Sequence, residues 1–452
     1  MTNNIQTAKV PFTGLVVPCF RQAWQLLKEN KLYSTIYILG TALAITMVMI
    51  VSVFLFIKKG DIPPEINRSR TLYVGSVNIY PKDTTQRGMS ASNLSLQTVK
   101  SVFYPLKSAE TVTAVFNTFG DDNLLSLPGQ KQELPMMVKY TDANYWNLFR
   151  FRFVEGKPYS KEEFASGIRT AVIDASTARR LFGGNSAIGK TVLLNDTEYR
   201  VSGVVKDVSY ILSHTYANIW IPYTTNENYE KSFAAEGILG SYSVFVLAPS
   251  AKHFSEIRKE VAANIAGYEG NLTWRMDLLG QPDNAFTASF RKGNRPLSIH
   301  KIRRSFAALW LVFLLVPVLN LSGLNSSRME KRLPELGIRK AFGATRTVLT
   351  QQLVTENFLL TFLGGAVGLI LSYLLVYFSS QWLVPSSILY NITDMSAQLG
   401  EAVGVTPAML FNVRVFTGAL LAVLLMNLLS SLVPAYRFTR KNIIDALFDH
   451  YK

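Results

Sequence analysis

The residues with the clearest chemical signature are Gly184–Thr191, whose sequence GNSAIGKT fits the phosphate-binding pattern GxxxxGK followed by Ser or Thr. A loop of this kind needs a strand before it and a helix after it, because N–H groups at the helix N-terminus bind the phosphates. Here a helical pattern, Ser176–Phe182, precedes the motif and a strand pattern, Thr191–Leu194, follows it. Because this order is reversed, we interpret the motif as a glycine-rich turn and predict that it binds no nucleotide.

The remaining reactive side chains form no recognisable catalytic or metal-binding set. Cys19 is the only cysteine in the sequence, which excludes an intramolecular disulfide and a cysteine-rich metal site. The four histidines are scattered and lack the spacing of metal ligands. We therefore predict that the chain is not an enzyme and that it carries no catalytic residue, no metal and no cofactor.

Composition and charge point to a membrane protein. Of the 452 residues, 48% are hydrophobic and only 17% are charged, against about 25% charged residues in soluble domains. The segment Gly60–His300 has 26 basic and 23 acidic residues, whereas the rest of the chain has 20 basic and 8 acidic residues. The excess positive charge thus flanks apolar segments, as membrane orientation requires, whereas a nucleic-acid-binding protein concentrates it on a soluble domain.

Four apolar segments are long enough to cross a bilayer, which takes about 20 residues. The first is longer than the hydrophobic part of a signal peptide. It is followed by Lys58 and Lys59 and not by a cleavage site, so we predict that it is retained. The predicted spans are residues 34–57, 305–324, 353–378 and 415–434.

The distribution of basic residues predicts the orientation of these spans. Residues 325–352 contain six basic residues, whereas the loop 379–414 contains only Arg414. Lys58 and Lys59 fall on the outer side against this rule, which is weak beside a long translocated domain. In the predicted topology the amphipathic segment 1–33, the segment 325–352 and the tail 435–452 are cytoplasmic, and residues 58–304 and 379–414 lie outside the inner membrane.

The external segment mixes helix and strand patterns. Thr71–Tyr80 and Tyr242–Ala248 alternate as strands, and Ser95–Leu106 and Ala251–Ile265 have helical spacing. The predicted fold class is an α-helical membrane protein with four transmembrane helices and a large α+β extracytoplasmic domain inserted between helices 1 and 2. The predicted parts of this domain are a discontinuous βαβ subdomain, about 65–125 and 240–300, and an inserted strand-rich subdomain, about 126–239.

The segment between the second and third spans resembles a known family. It reads RMEKRLPELGIRKAFGAT over Arg328–Thr345, and a glycine cluster, Gly364–Gly368, follows in the third span. This order resembles the permeases of FtsX/MacB-type ABC transporters. In the external segment, Ala171–Gly183, Ile188–Val192 and Tyr199–Asp207 resemble the MacB-like periplasmic core domain, in which the GKT match is a turn of the family.

The resemblance implies the permease subunit of an ABC transporter, driven by a separate ATPase that binds ATP and magnesium. It implies mechanotransmission: ATP-driven motion passes to the external domain for export or efflux of a peptide, a lipoprotein or a drug-like substrate. The alternative is a non-transporting, FtsX-like regulator that activates an external cell-wall hydrolase. The ATPase that is fused to MacB itself is not part of this sequence. The implied partners are the ATPase, a second permease copy or a paralogue, the lipid bilayer, and a periplasmic adaptor with an outer-membrane channel; no nucleic acid is expected.

The resemblance also indicates which residues receive force from the ATPase. Apolar contacts in a cleft of the ATPase would come from Leu336, Ile338, Ala341 and Phe342. Arg339 and Lys340 would pair with acidic residues of that partner. In the sequence itself, Gly343–Thr345 predicts a turn at the end of this helix, because glycine is favoured at that position. Composition alone equally allows a basic helix that lies on anionic lipid. The predicted coupling residues are Glu335, Leu336, Gly337, Ile338, Arg339, Lys340, Ala341, Phe342, Gly343 and Ala344.

Gly364 and Gly368 form a GxxxG pair in the third predicted span. Small residues at this spacing let two helix backbones approach closely inside a membrane. Two partner surfaces are open at this point: a neighbouring span of the same chain, or a second copy of the chain in a dimer.

Overall fold

The structure, a computed structural model, describes residues 24, 25, 28, 31–118, 123–331, 333–378, 404–410 and 412–440. Most of the predicted N-terminal segment and of the loop 379–414, and the end of the tail, lie outside these described residues. The chain divides into two compact units. The helical unit comprises Met1–Phe54, His300–Ser379 and Leu410–Lys452, and the α+β unit comprises Leu55–Ile299 and Ser380–Met409.

The helices and strands of the described residues are numbered along the chain. The helices are α1 (Lys31–Lys59), α2 (Leu96–Thr98, continued by a wider turn to Phe103), α3 (Tyr145–Leu148), α4 (Lys161–Ala165), α5 (Ala175–Phe182), α6 (Phe254–Glu269), α7 (Ala285–Ala288), α8 (Ile299–Lys331), α9 (Leu333–Ala341), α10 (Arg346–Phe378), α11 (Pro407–Leu410) and α12 (Val413–Arg440). The strands are β1 (Thr71–Val74), β2 (Val77–Pro81), β3 (Ser90–Leu94), β4 (Thr111–Phe116), β5 (Leu124–Ser126), β6 (Leu134–Pro135), β7 (Val138–Thr141), β8 (Phe153–Gly156), β9 (Thr170–Asp174), β10 (Thr191–Leu194), β11 (Thr197–Val205), β12 (Ile219–Pro222), β13 (Leu239–Gly240), β14 (Tyr242–Leu247), β15 (Trp274–Asp277) and β16 (Asp283–Asn284).

Helices α1, α8, α10 and α12 contain the four predicted spans and extend beyond each of them. Among the described residues, two helical segments are long and apolar enough to cross a membrane, Lys31–Lys59 and Thr347–Phe378. Val413–Leu428 is a shorter apolar segment. Within the helical unit, α10 and α12 are joined by a buried hydrogen bond, in which Nδ2 of Asn427 donates to Oγ1 of Thr361 at 3.1 Å.

The strands of the α+β unit form one sheet, whose main path runs β15-β2-β3-β14-β4-β7-β12-β9-β11-β10-β5-β6. The two predicted subdomains meet inside this sheet, where β4 pairs with β7 and Phe116 lies opposite Tyr140. They also share one hydrophobic core, to which Leu72 and Ile173 both belong. The predicted subdomain boundaries therefore mark an insertion in the sequence and not a break in the packing.

The predicted strand Thr71–Tyr80 is two strands in the structure, β1 and β2, with different neighbours. β1 pairs antiparallel with β14, which also pairs antiparallel with β4, so β1 and β4 run parallel on either side of β14. β2 pairs antiparallel with β3 and β15. The side chain of Gln281 stabilises the break. Its Oε1 accepts a hydrogen bond from the N–H of Gly75 at 2.8 Å, and its Nε2 donates to the carbonyl of Ser76 at 2.7 Å. An alternating pattern cannot reveal a break that is made by a residue so distant in sequence.

Candidate functional site

The predicted coupling segment contains helix α9, which a tight turn joins to α10. The N–H of Ala344 donates to the carbonyl of Arg339 at 3.0 Å, which is the long hydrogen bond of a glycine-terminated helix end. Gly343 has a φ of +90°, a conformation that residues with a side chain adopt only at a cost. The Thr345 hydroxyl then accepts a hydrogen bond from the N–H of Val348 at 3.4 Å, and this bond caps the start of α10. The turn therefore has the geometry that the sequence predicts.

A chain of polar contacts ties α9 to α10. The guanidinium of Arg339 pairs with Oε1 of Glu335 at 2.8 Å, and its Nη1 donates to Oε1 of Gln352 at 2.8 Å. Nε2 of Gln352 in turn donates to Oε1 of Glu356 at 3.1 Å. Gln352 and Glu356 are both buried in the helical unit. Arg339 thus makes contacts within its own chain that the sequence did not predict, and its pairing with acidic residues of the ATPase stays a prediction.

The exposed surface of α9 is apolar at two positions. Ile338 is half exposed and Phe342, four residues later, is 89% exposed. Residues four apart lie on the same side of a helix, so these two side chains form one surface, here called the apolar ridge. Gly337 is buried, and the side chains of Leu336 and Lys340 lie outside the described residues. The apolar ridge is therefore a part of the predicted site that offers exposed apolar surface to a partner.

The GxxxG pair of α10 packs against α1. A Cβ atom on Gly364 would lie 2.7 Å from Cβ of Thr41, and one on Gly368 would lie 2.6 Å from the carbonyl oxygen of Ala42. The Thr46 hydroxyl also donates to the carbonyl of Gly368 at 3.1 Å. Since real Cβ atoms do not approach this closely, the contact requires glycine at both positions. This face of α10 is covered by α1 of the same chain, which favours the intramolecular alternative over a dimer interface.

Within the α+β unit, a buried ion pair holds the last turn of α1. Nε of Arg68 donates to Oε2 of Glu65, and both side chains are almost completely buried. Nη1 of Arg68 donates to the carbonyl of Ile57 at 2.6 Å, and the Thr215 hydroxyl donates to Oε1 of Glu65 at 2.8 Å. The sequence analysis missed this arrangement. The only available signal was a Glu and an Arg three residues apart after the first span, and such a pair is usually exposed.

The charge state of this junction follows from its burial. Burial opposes ionisation of Glu65, but the positive charge of Arg68 and the hydrogen bonds from Arg68 and Thr215 outweigh it, so the pKa of Glu65 lies below its usual value. Burial lowers the pKa of the neighbouring His214 to about 4 and that of Lys139 to about 8. At neutral pH the ion pair is therefore charged, His214 is neutral and Lys139 is still mainly protonated.

The GKT motif has the local structure of a turn. Helix α5 precedes it and strand β10 follows it, in the order that the sequence predicts. The N–H of Gly189 donates to the carbonyl of Val201 at 2.8 Å, and the N–H of Lys190 donates to the carbonyl of Ala187 at 3.1 Å. Nζ of Lys190 lies 4.8 Å from the centroid of the Phe182 ring. The N–H groups of Gly189 and Lys190 and the side chain of Lys190 thus make contacts within the domain.

Two family profiles match this chain in succession. The first, described as a MacB-like periplasmic core domain, covers residues 34–264. The second, described as an FtsX-like permease C-terminal domain, covers residues 307–443. Together with the apolar helices, these matches define a membrane protein of the ABC transporter permease class. The chain belongs to the FtsX/MacB-type family of these permeases.

Named relatives include a probable export ATP-binding/permease protein of Pseudomonas fluorescens, which is 24% identical over 87% of this chain and 59% of its own length. The macrolide export ATP-binding/permease protein MacB 1 of Yersinia pestis is 24% identical over 89% of this chain and 61% of its own length. A probable syringafactin export ATP-binding/permease protein of Pseudomonas syringae is 23% identical over 87% of this chain and 57% of its own length. The chain thus spans about 60% of the length of these relatives.

Two solved structures align with about half of the chain. The periplasmic region of MacB from Actinobacillus actinomycetemcomitans aligns with a TM-score of 0.34 and 16% identity, over 49% of this chain and 96% of its own. The extracellular domain of the transporter YknZ from Gram-positive bacteria aligns with a TM-score of 0.32 and 18% identity, over 45% of this chain and 99% of its own.

Proposed function

We propose that this chain is a four-span permease subunit that passes ATP-driven motion from a separate ABC ATPase to its own external domain. The observation that carries the proposal is the succession of a MacB-like core domain and an FtsX-like permease domain, with apolar helices on both sides. The names of the relatives favour export over the alternative of an FtsX-like regulator of a cell-wall hydrolase. The proposed substrate is a peptide, a lipoprotein or a drug-like molecule. The proposed assembly contains a second permease copy or a paralogue, and an adaptor with an outer-membrane channel.

A continuous series of contacts supports this route for the motion. The apolar ridge of α9 docks into the ATPase, and Arg339 and Gln352 connect α9 to α10. Gly368 packs α10 closely against α1. Helix α1 then continues without a break to its last turn, which Arg68 binds through the carbonyl of Ile57. Within the chain, each step is a packing contact, a hydrogen bond or a continuous helix, which is what mechanical coupling between distant sites requires.

The proposed topology predicts which residues face the outside of the cell membrane. In a Cys19→Ser background, a cysteine at Lys131 should react with an impermeant thiol reagent in intact cells, because this exposed residue lies in the external domain. A cysteine at Ser327, near the end of α8, should react only after the membrane is permeabilised. Reaction at position 327 in cells with an intact inner membrane would contradict the proposed orientation.

The proposal also predicts that the chain itself binds no nucleotide. Lys190→Ala should leave ATP hydrolysis by the assembled complex unchanged, because the side chain of Lys190 lies on the Phe182 ring in a turn of the external domain. The matched control is the same substitution at the phosphate-binding lysine of the ATPase, which should abolish hydrolysis. An equal loss from both substitutions, measured as phosphate release by the purified complex, would contradict the proposal.

A further inference from the structure

A basic cleft lies in the α+β unit beside the last turn of α1. Its volume is about 570 Å³, within the range of sites for small molecules. The basic residues that line it are Lys58, Arg68, Arg291 and Lys292, and none of the described lining residues is an aspartate or a glutamate. The cleft therefore presents cations and hydrogen-bond donors, which are groups that bind an anion.

Two of these basic residues pair with carboxylates that do not themselves line the cleft. Arg68 pairs with Glu65, and Arg291 pairs with Asp283. The described lining itself contains four cations and no carboxylate.

The position of the cleft along the chain indicates the source of the anion. Ile57 and Lys58 line it and belong to the last turn of α1, directly after an apolar run of 24 residues that contains no charge (residues 34–57). Phe290 adds an apolar wall beside the basic residues. The positive-inside rule also leaves Lys58 unexplained, since it places lysines on the cytoplasmic side. A cleft that is basic and apolar, at the end of a spanning helix, fits the head of a lipid.

We infer that this cleft binds the phosphate of an anionic membrane lipid, with Lys58 and Lys292 as its main contacts. The lipid fixes the outer end of α1 at the membrane surface, next to the junction that Arg68 and Glu65 form. The inference rests on the proposed topology, which puts this end of α1 outside the membrane. If the proposed topology is wrong, the cysteine-labelling experiment detects this without any measurement of lipid binding.

Native mass spectrometry of the full chain in detergent, titrated with phosphatidylglycerol or phosphatidylcholine, tests this inference. We expect one phosphatidylglycerol to bind more tightly than phosphatidylcholine. Lys58→Gln and Lys292→Gln should each weaken that binding roughly fivefold, which corresponds to about 1 kcal/mol for one lysine at a lipid surface. Lys292 is exposed, so its replacement leaves the core of the domain intact.

Lys259→Gln is the matched control, because Lys259 is an exposed lysine on α6 that does not line the cleft. It should leave the affinity for phosphatidylglycerol unchanged. Equal affinities in the wild-type chain and in both cleft variants, or an equal loss in the control, would overturn the inference. Displacement of the lipid by inorganic phosphate at the same concentration would overturn the lipid as the source and leave a soluble anion as the ligand.

Discussion

Replacing Arg68 by methionine is expected to destabilise the α+β unit by about 3–5 kcal/mol and to uncouple ATP hydrolysis from export. The substitution leaves the carboxylate of Glu65 buried without its counter-charge. It also removes the hydrogen bond that holds the carbonyl of Ile57 in the last turn of α1. Stability is measured on the full chain by chemical denaturation followed by near-ultraviolet circular dichroism. Coupling is measured as ATP hydrolysis and export by the assembled complex.

The double variant Glu65→Leu, Arg68→Met separates the two effects. An apolar replacement of a buried ion pair often restores stability, so this variant should regain most of it. It should stay uncoupled, because the contact with Ile57 is still absent. Arg70→Met is the matched control: Arg70 pairs with Glu110 at a partly exposed site, where an ion pair contributes about 0–1 kcal/mol. If the double variant regained both stability and coupling, the contact with Ile57 would have no role in transmission.

Phe342→Ala is expected to weaken binding of the ATPase by roughly 30-fold or more, since an aromatic hot spot contributes about 2 kcal/mol or more. Phe342 is 89% exposed, so its truncation removes docking surface without opening a cavity in the chain. Binding is measured between the purified ATPase and the chain in lipid nanodiscs. Phe362→Ala is the matched control, because Phe362 is 54% exposed in the apolar part of α10 and should not contact the ATPase. Normal ATPase binding by Phe342→Ala, together with weaker binding of the chain to anionic vesicles, would favour the lipid-surface alternative.

Arg339→Glu tests a different step of the same route. It leaves the apolar ridge in place but replaces the contacts with Glu335 and Gln352 by repulsion between carboxylates. We therefore expect ATPase binding to persist while export per ATP hydrolysed falls. A loss of binding as large as that of Phe342→Ala would instead mean that Arg339 faces an acidic groove of the ATPase, as the sequence analysis expected.

Several features could be predicted because each depends on a local pattern. The apolar runs predicted α1, α8, α10 and α12, since about 20 apolar residues in succession favour a membrane helix. Gly343 predicted the end of α9, because a residue with positive φ favours glycine. The segments around the GKT motif predicted a turn between α5 and β10, because helical and alternating patterns are read within a few residues.

Other features could not be predicted, because they depend on residues far apart in the sequence. The strand break at Gly75 depends on the side chain of Gln281, and the direction of Arg339 depends on Gln352 in the next helix. Neither partner leaves a periodic signal, so the sequence analysis predicted one strand where there are two and did not predict the contact between Arg339 and Gln352.

By itself, the sequence determined the class of this protein and the order of its parts: apolar segments, an α+β insert and a short basic helix with a glycine turn. These depend on composition and local pattern, which the sequence contains in full. Only the tertiary structure decided which face of α10 packs on α1, that Glu65 and Arg68 are buried together, and that Lys58 and Lys292 line one cleft. Burial and proximity decide whether a charge is a solvated surface group, a structural link or a binding site, and both arise only when distant segments pack together.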